Sequence, residues 1–181
     1  QEISNPAGLF LEERSNDASG SVVCACLEGN RPILVEVQAL VAKTPYGMPR
    51  RTAVGFDYNR VTMLLAIFER RLGMDFGAYD AYVNVVGGMR VTEPAADLAV
   101  AAALVSSYRN RPIPHGVLVM GEVGLTGEVR RIGSPERRIK DAMNLGFKRF
   151  VLPMGKLSLD EPCNGIVQVK SLEEALDKVF A

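Results

Sequence analysis

The chain has 181 residues, of which 48% are hydrophobic and 23% are charged, and its 21 basic and 21 acidic residues give a net charge of zero. This composition suits one soluble domain with a real core, and the bulk charge gives no argument for nucleic-acid binding. The sequence contains no apolar run near the ~20 residues of a membrane helix and no signal-peptide pattern after Gln1, so we expect the chain to be soluble. We interpret the chain as a piece of a longer protein.

The first part of the chain is predicted to form strands. Two β-rich apolar runs, residues 20–27 and 33–41, flank a turn at residues 28–32. Residues 44–49 contain two prolines and a glycine and are predicted to form a loop. Residues 81–86 form a further short strand, which two glycines end.

The helices carry clearer boundary signals. Asp57 is predicted to cap a helix whose apolar residues recur on one face, and Gly73 to end it. Ser134, followed by a proline, is predicted to cap another helix. A last helix begins with a capping box formed by Ser171 and Glu174.

The segment 92–108 is predicted to form a helix that is apolar on nearly all sides. Thr92 can cap it, Pro94 suits its first turn, and Glu93 and Asp97 favour its positive end. A helix of this composition belongs in the centre of a domain, covered on both faces. Further short strands are predicted at residues 116–120, 150–153 and 166–169. This order of elements predicts one α+β domain.

Several kinds of site are absent from the sequence. It has neither the glycine–lysine pattern of a P-loop nor a dinucleotide-binding glycine motif, so no ATP site is expected in this chain. One histidine, His115, and three cysteines give no zinc-site spacing, so no metal is expected. Cys24 and Cys26 alternate on a predicted strand and are expected, like Cys163, to be buried free thiols, which indicates a cytoplasmic protein.

Basic residues are unevenly distributed along the chain. Residues 43–71 contain six basic and two acidic residues, and residues 109–149 contain nine basic and four acidic residues. Arginine dominates both windows, and its planar guanidinium is well shaped for phosphate or carboxylate. It occurs in four doublets, which are residues 50–51, 70–71, 130–131 and 137–138.

The glycine-rich segment 121–133, GEVGLTGEVRRIG, carries the first specific resemblance. With the apolar helix before it and the helix after it, it resembles the proteolytic domain of Lon-type proteases. These enzymes use a serine in a G-P-S-A-G turn and a lysine shortly after I-G-G, a dyad in which a desolvated lysine acts as the base. In this sequence the two positions hold Ala95 and Glu136. The resemblance therefore implies a Lon-like fold, related to ribosomal protein S5 domain 2, without the protease dyad.

A second resemblance covers nearly the whole chain. The sequence is similar to the Lon-like domain at the C-terminus of the bacterial RadA (Sms) family of recombination proteins. The matching stretches are SNPAGLFL from Ser4, SGSVV from Ser19, RPILVEVQALV from Arg31, PRRTAVGFDYNR from Pro49, VNVVGGMRVTE from Val83 and GEVGLTGEVR from Gly121. Residues 1–181 are thus expected to form one Lon-like domain, with residues 1–10 as a linker from an ATPase core.

This resemblance also implies cofactors and partners. The parent protein is expected to have an N-terminal zinc motif and a RecA-like ATPase core, so ATP, Mg²⁺ and Zn²⁺ belong to parts outside this chain. It is expected to assemble as a hexameric ring in the bacterial cytoplasm, without a membrane. There it acts on single-stranded or branched DNA, with recombinase filaments as further partners, and promotes branch migration in DNA repair.

Five arginines are the candidate DNA contacts. Arg50, Arg51 and Arg60 come first, and Arg130 and Arg131 second. Asp57 is expected to cap the helix and orient the loop before it, and Asn59 to form a hydrogen bond within that loop. The alternative for all five arginines is pairing with acidic residues of a neighbouring subunit.

Two other functions stay open at this point. One is a pure oligomerisation module without DNA contact. The other is a residual peptidase, for which the candidate residues are Ser106, Ser107, Ser134 and Lys140.

Overall fold

The two predicted N-terminal strands form the centre of a sheet in the computed structural model, which describes residue 14 and residues 17–181. β1 (Ser21–Glu28) and β2 (Arg31–Lys43) are antiparallel, and Glu28 pairs with Arg31 across a two-residue turn. The predicted linker at residues 1–10 and the matching stretch from Ser4 lie outside the described residues.

Seven strands form one mixed sheet in the order β3-β4-β2-β1-β5-β8-β9, and two further strands form a separate hairpin. The remaining strands are β3 (Arg51–Val54), β4 (Tyr79–Val85), β5 (Val117–Val119), β6 (Glu122–Val123), β7 (Val129–Arg130), β8 (Arg149–Pro153) and β9 (Ile166–Val169). β4 is antiparallel to β2, whereas β3 is parallel to β4, and β5, β8 and β9 continue in parallel from β1. The separate hairpin of β6 and β7 is formed by the glycine-rich segment 121–133.

In the described part of the chain, four α-helices pack against the sheet: α1 (Tyr58–Leu72), α2 (Asp97–Arg109), α3 (Pro135–Asn144) and α4 (Leu172–Val179). The predicted caps of α1 are confirmed, because Asp57 accepts hydrogen bonds from the first-turn amides and Gly73 takes the left-handed conformation. Ser171 likewise accepts a hydrogen bond from the Glu174 amide at the start of α4. The single α+β domain that the sequence predicts is confirmed.

Helix α2 is the centre of the domain. Its residues are buried from Asp97 to Ser106, as its uniformly apolar sequence predicts. Pro94 and Asp97 lie in the first turns of the 3₁₀ segment and of the helix, as predicted, but the predicted cap at Thr92 was wrong. Thr92 is exposed and caps nothing, and a 3₁₀ turn (Pro94–Ala96) without a side-chain cap precedes the helix. Both acidic residues of this region, Glu93 and Asp97, form ion pairs with arginines.

Two further expectations differ from the structure. Ser134 precedes α3 in the left-handed conformation (φ 52°), and its hydroxyl does not cap the helix. The strand β3 was not predicted, because it has only four residues and lies at the sheet edge, where alternate side chains are exposed. None of the helices in the described part of the chain is long and apolar enough to cross a membrane.

Candidate functional site

The two positions that correspond to a Lon-type dyad lie in different elements. Ala95 is buried in the 3₁₀ turn before α2, where its carbonyl accepts a hydrogen bond from the Gly121 amide at 2.8 Å. Glu136 lies in the first turn of α3 and accepts a hydrogen bond from the Ser158 amide at 3.3 Å. A methyl group cannot attack a carbonyl carbon, and an ionised carboxylate only accepts hydrogen bonds. These side chains therefore provide neither the hydroxyl nor the amine of the dyad.

A buried ion pair joins the two segments that carry these positions. Arg138 of α3 is only 1% exposed, and its Nη1 and Nη2 donate to the two carboxylate oxygens of Glu93 at 2.5 and 3.0 Å. The same guanidinium donates to the carbonyls of Ala25 at 2.8 Å and Gly133 at 2.9 Å. Glu93 also accepts the amide of Leu27 at 2.7 Å. The pair thus connects β1, the turn before α2 and the start of α3.

This ion pair was not predicted from the sequence, although one signal was present there. Arg138 lies four residues before Ala142 on the buried stripe of α3, so its side chain must enter the interior. An arginine on such a stripe requires an acidic partner, because an unpaired buried charge is very costly. The partner is 45 residues away in the sequence. Only the fold shows that it is Glu93.

The first DNA-contact candidates and their supporting residues fall into two groups, of which the first lies at the start of α1. Asp57 Oδ1 accepts the amides of Asn59 at 2.7 Å and Arg60 at 3.3 Å, which confirms its predicted role as a cap. The hydrogen bond of Asn59 is thus made by its backbone amide. Arg60 forms a bidentate ion pair with Asp97, in which the Nε–Oδ1 distance is 2.7 Å. Asp97 also accepts the amide of Val123 at 3.1 Å, so it links α1, α2 and the β6–β7 hairpin.

The electrostatics of this pair follow from burial. The side chain of Asp97 is 1% exposed, and desolvation raises the pKa of its carboxyl, while the hydrogen bonds from Arg60 and the Val123 amide oppose that rise. The hydrogen bond to Asp97 in turn raises the pKa of Arg60. The guanidinium of Arg60 therefore already has a buried partner within its own chain.

The second group lies at the start of β3. Arg51 directs its guanidinium inward, where Nη2 donates to the Phe76 carbonyl at 2.8 Å and Nη1 to the Tyr79 carbonyl. The side chain of Arg50 is exposed, and its backbone amide donates to Asp80 Oδ1 at 2.7 Å. Arg50 thus presents its charge to solvent, whereas Arg51 holds the chain that leads into β4.

Asp80 gives this region a testable pH dependence. The backbone hydrogen bond from Arg50, and then that from the Thr44 hydroxyl, hold the pKa of Asp80 below its ordinary value. Because the folded-state pKa is depressed, the stabilisation from Asp80 is complete above its ordinary pKa and is lost as the pH falls through the folded pKa. We expect Asp80→Asn to lower the free energy of unfolding at neutral pH, and this deficit to shrink in acid. Urea unfolding of both proteins across this pH range measures it, and a deficit that does not vary with pH would contradict the assignment.

The remaining candidates, Arg130 and Arg131, lie at the end of β7 and are exposed. Arg130 is within 4.0 Å of the Glu128 carboxylate, a loose surface pair of small energetic value. The structure therefore distributes the five arginines over three places. It leaves Arg50, Arg130 and Arg131 exposed, and it engages Arg51 and Arg60 in internal contacts.

Two of the three cysteines are buried in the core. Cys24 and Cys26 are buried free thiols, as predicted, with their sulfurs 3.9 Å apart. The hydrogen bond from Cys26, followed by burial, raises the pKa of Cys24 well above its usual value, which keeps this thiol protonated. Cys163 is only partly buried. No group of three metal-ligating side chains is found among residues 17–181.

Two of the serines proposed for a residual peptidase form hydrogen bonds with the backbone, and the proposed lysine is exposed. Ser106 Oγ accepts the Gly20 amide at 2.8 Å and donates to the Arg111 carbonyl at 2.5 Å. Ser107 Oγ accepts the Val41 amide at 2.8 Å. Lys140 is largely exposed, 3.9 Å from Asp160, so water solvates its ammonium group. A lysine that acts as a base requires a desolvated amine, and the exposed surroundings of Lys140 do not desolvate it.

Comparisons with known proteins show what the chain is similar to. The family model described as subunit ChlI of Mg-chelatase matches residues 37–156. The chain is 46% identical over 181 residues to the DNA repair protein RadA of Halalkalibacterium halodurans, covering 98% of this chain and 39% of that protein. It is 48% identical over 181 residues to RadA of Pseudomonas aeruginosa, covering 99% of this chain and 40% of that protein. For RadA of Bacillus subtilis the identity is 47% over 177 residues, or 97% of this chain and 39% of that protein. The chain thus spans about two fifths of the length of these curated relatives.

Proposed function

Since this chain belongs to the family of the ChlI model and is homologous over nearly its whole length to bacterial DNA repair proteins RadA, we propose that it is the Lon-like domain of such a protein. In this proposal it has the fold of a Lon proteolytic domain, does not cleave peptides, and serves as a ring scaffold that contacts DNA. The parent protein is a DNA-dependent ATPase of the bacterial cytoplasm. It processes recombination intermediates by branch migration.

The observation that carries this proposal is the chemistry at the two dyad positions. Ala95 and Glu136 cannot form a serine–lysine dyad, and an ion pair between Glu93 and Arg138 connects the segments that hold them. This ion pair stabilises the arrangement of the two segments, and neither of its residues occupies a dyad position. A domain that keeps this arrangement without the catalytic side chains is suited to a structural role as a scaffold. ATP, Mg²⁺ and Zn²⁺ are then bound by other parts of the parent protein.

The DNA contacts in this proposal come from arginines that the fold leaves exposed. Arg50, Arg130 and Arg131 are exposed and can bind phosphate at little internal cost, since the one contact at stake is the loose pair of Arg130 with Glu128. Arg51 and Arg60 can contribute only through N–H groups that their internal partners leave unused. In a hexameric ring each exposed cation is repeated six times around the channel, so a small patch on one subunit becomes a substantial binding surface.

The first experiment is a titration of the 181-residue chain against fluorescent single-stranded DNA by anisotropy, at several salt concentrations. We expect binding that weakens linearly on a log–log plot against salt. The triple variant Arg50→Ala/Arg130→Ala/Arg131→Ala should bind more weakly and lower the salt slope by about two, since each lost phosphate contact on a single strand removes about 0.7. A variant that includes Arg60→Ala is less informative, because it also leaves the buried carboxylate of Asp97 without its ion-pair partner and so lowers stability.

The matched control is the triple variant Arg31→Ala/Arg70→Ala/Lys178→Ala, which removes the same charge from other exposed positions. It should bind DNA almost as well as the wild type and keep the salt slope. Equal losses in the two triple variants would contradict the assignment to specific arginines. If the wild-type chain bound no DNA even at low salt, the DNA-contact function itself would be wrong.

A second candidate function, a pure oligomerisation module, is favoured by one open face of the sheet. By strand register, Leu40, Tyr82 and Thr52 lie side by side on the face opposite the buried Ala81 and Val83. Leu40 is 60% exposed, and Val54 on the same face is 56% exposed. Apolar side chains on an uncovered face suit a contact between subunits. This alternative predicts hexamers in sedimentation experiments and no salt-dependent binding of DNA.

A further inference from the structure

The loop between β2 and β3, which we call the 44–50 loop, is held firmly at both ends. A single carboxylate oxygen, Asp80 Oδ1, accepts the Thr44 hydroxyl at 2.9 Å and the Arg50 amide at 2.7 Å. The Thr44 amide donates to the Ala78 carbonyl at 2.9 Å, and the Ala81 amide donates to the Arg50 carbonyl at 2.9 Å. These contacts fix the first and last residues of the loop against the start of β4.

The middle of the loop projects two large apolar side chains into solvent. Tyr46 is 92% exposed and Met48 is 88% exposed, more than any other large hydrophobic residue in the described part of the chain. Gly47 between them has a φ of +73°, which allows a tight turn at the tip. A loop with fixed ends loses little conformational entropy when its tip binds a partner. The tip of the loop therefore presents an apolar surface that a partner can bind at a low cost in conformational entropy.

The charges beside the tip restrict the kind of partner. Residues 43–50 contain two basic residues, Lys43 and Arg50, and no acidic residue, and both cations are exposed. An exposed aromatic ring between two cations is the arrangement on which a nucleobase stacks while adjacent phosphates pair with the cations.

We propose that the 44–50 loop binds single-stranded DNA, with a base stacked on Tyr46 and phosphates at Lys43 and Arg50. This inference rests on the proposed DNA-contact function and adds the form of DNA that the domain selects. The bases of a duplex are stacked on each other and present no free face to a tyrosine ring. The loop therefore prefers single strands over duplex. A protein partner on the same loop would depend on Tyr46 and Met48 but not on the two cations.

The test is anisotropy with a fluorescent oligothymidylate and with a duplex, using the 181-residue chain. Tyr46→Ala should weaken binding of the single strand about 5- to 140-fold, the range expected for one lost base–aromatic stack, and leave the salt slope unchanged. Tyr46→Phe keeps the ring and should bind like the wild type. Arg50→Ala should instead lower the salt slope by about 0.7. Duplex binding should change little in Tyr46→Ala.

The control variant is Leu145→Ala, which removes an exposed apolar side chain far along the chain from the loop and should leave binding unchanged. If the wild type bound single strands and Tyr46→Ala bound them equally well, this inference would be overturned while the DNA-contact function stood. The same holds if Tyr46→Phe were as weak as Tyr46→Ala. If the wild type bound neither form of DNA, both proposals would fail together.

Discussion

Glu93→Ala is expected to lower the free energy of unfolding by about 3–5 kcal/mol, the largest effect of any single substitution considered for this domain. The substitution leaves the guanidinium of Arg138, which is 1% exposed, without its carboxylate partner. The fold buries this charge, and the two carbonyls that remain as acceptors do not neutralise it. Since domains of this size unfold with about 5–15 kcal/mol, urea denaturation of the variant should show a greatly lowered midpoint.

The reverse substitution should be less severe, which makes the prediction specific. Arg138→Met removes the buried charge and keeps an unbranched apolar chain, while Glu93, 23% exposed, can gain water and retains the Leu27 amide. The double variant Glu93→Leu/Arg138→Met should be more stable than Glu93→Ala, because no unpaired charge remains. Arg137→Ala, on the neighbouring exposed position, is the control and should change stability by no more than about 0.5 kcal/mol. A loss below about 1 kcal/mol in Glu93→Ala would contradict the importance of this pair.

Arg60→Ala is the second substitution with a large expected effect, a loss of about 3 kcal/mol in the free energy of unfolding at neutral pH. It leaves Asp97 ionised and buried, with only the Val123 amide as a hydrogen-bond donor. Asp97 connects α1, α2 and the β6–β7 hairpin, so this loss affects three elements at once. Chemical denaturation at neutral pH measures it, and the same value is needed to interpret any effect of Arg60→Ala on DNA binding.

The pH dependence of this variant follows from the pKa of Asp97. Burial raises this pKa in the folded protein, and removal of Arg60 takes away the main group that opposes the rise. A carboxyl whose folded pKa lies above its unfolded pKa destabilises the fold in its ionised form, and this penalty grows as the pH rises from the unfolded to the folded pKa. The defect of Arg60→Ala should therefore be largest at neutral pH and should diminish as the pH falls.

A neutral partner provides the control for this prediction. The variant Arg60→Ala/Asp97→Asn keeps the shape of the side chain and an acceptor for the Val123 amide without a buried charge. It should recover part of the lost stability at neutral pH and show no acid-dependent gain. If the defect of Arg60→Ala were the same at all pH values, the cost would arise from lost packing of the arginine stem.

The sequence by itself determined those features that depend on neighbours a few residues apart. Asp57 and Gly73 bound α1 because their interactions are made with the amides and carbonyls of the adjacent turn. The continuous apolar run of β1 and the uniform apolar character of α2 likewise indicate elements that are buried on both faces. The exchange of the dyad residues for Ala95 and Glu136 is also visible in the sequence, through the resemblance of the flanking segments to Lon-type proteases.

Only the tertiary structure decided which charges are paired. Arg60 and Asp97 are 37 residues apart, and Glu93 and Arg138 are 45 residues apart, so no local pattern joins them. The acidic residues near the start of α2 looked like helix-dipole partners because that effect acts within one turn. In the folded chain, burial makes an arginine the stronger partner, since a desolvated carboxylate needs a full opposite charge. The partners of Arg51 are also distant in the sequence. Only the fold therefore shows that the side chain of Arg50 is exposed, whereas that of Arg51 donates hydrogen bonds to backbone carbonyls.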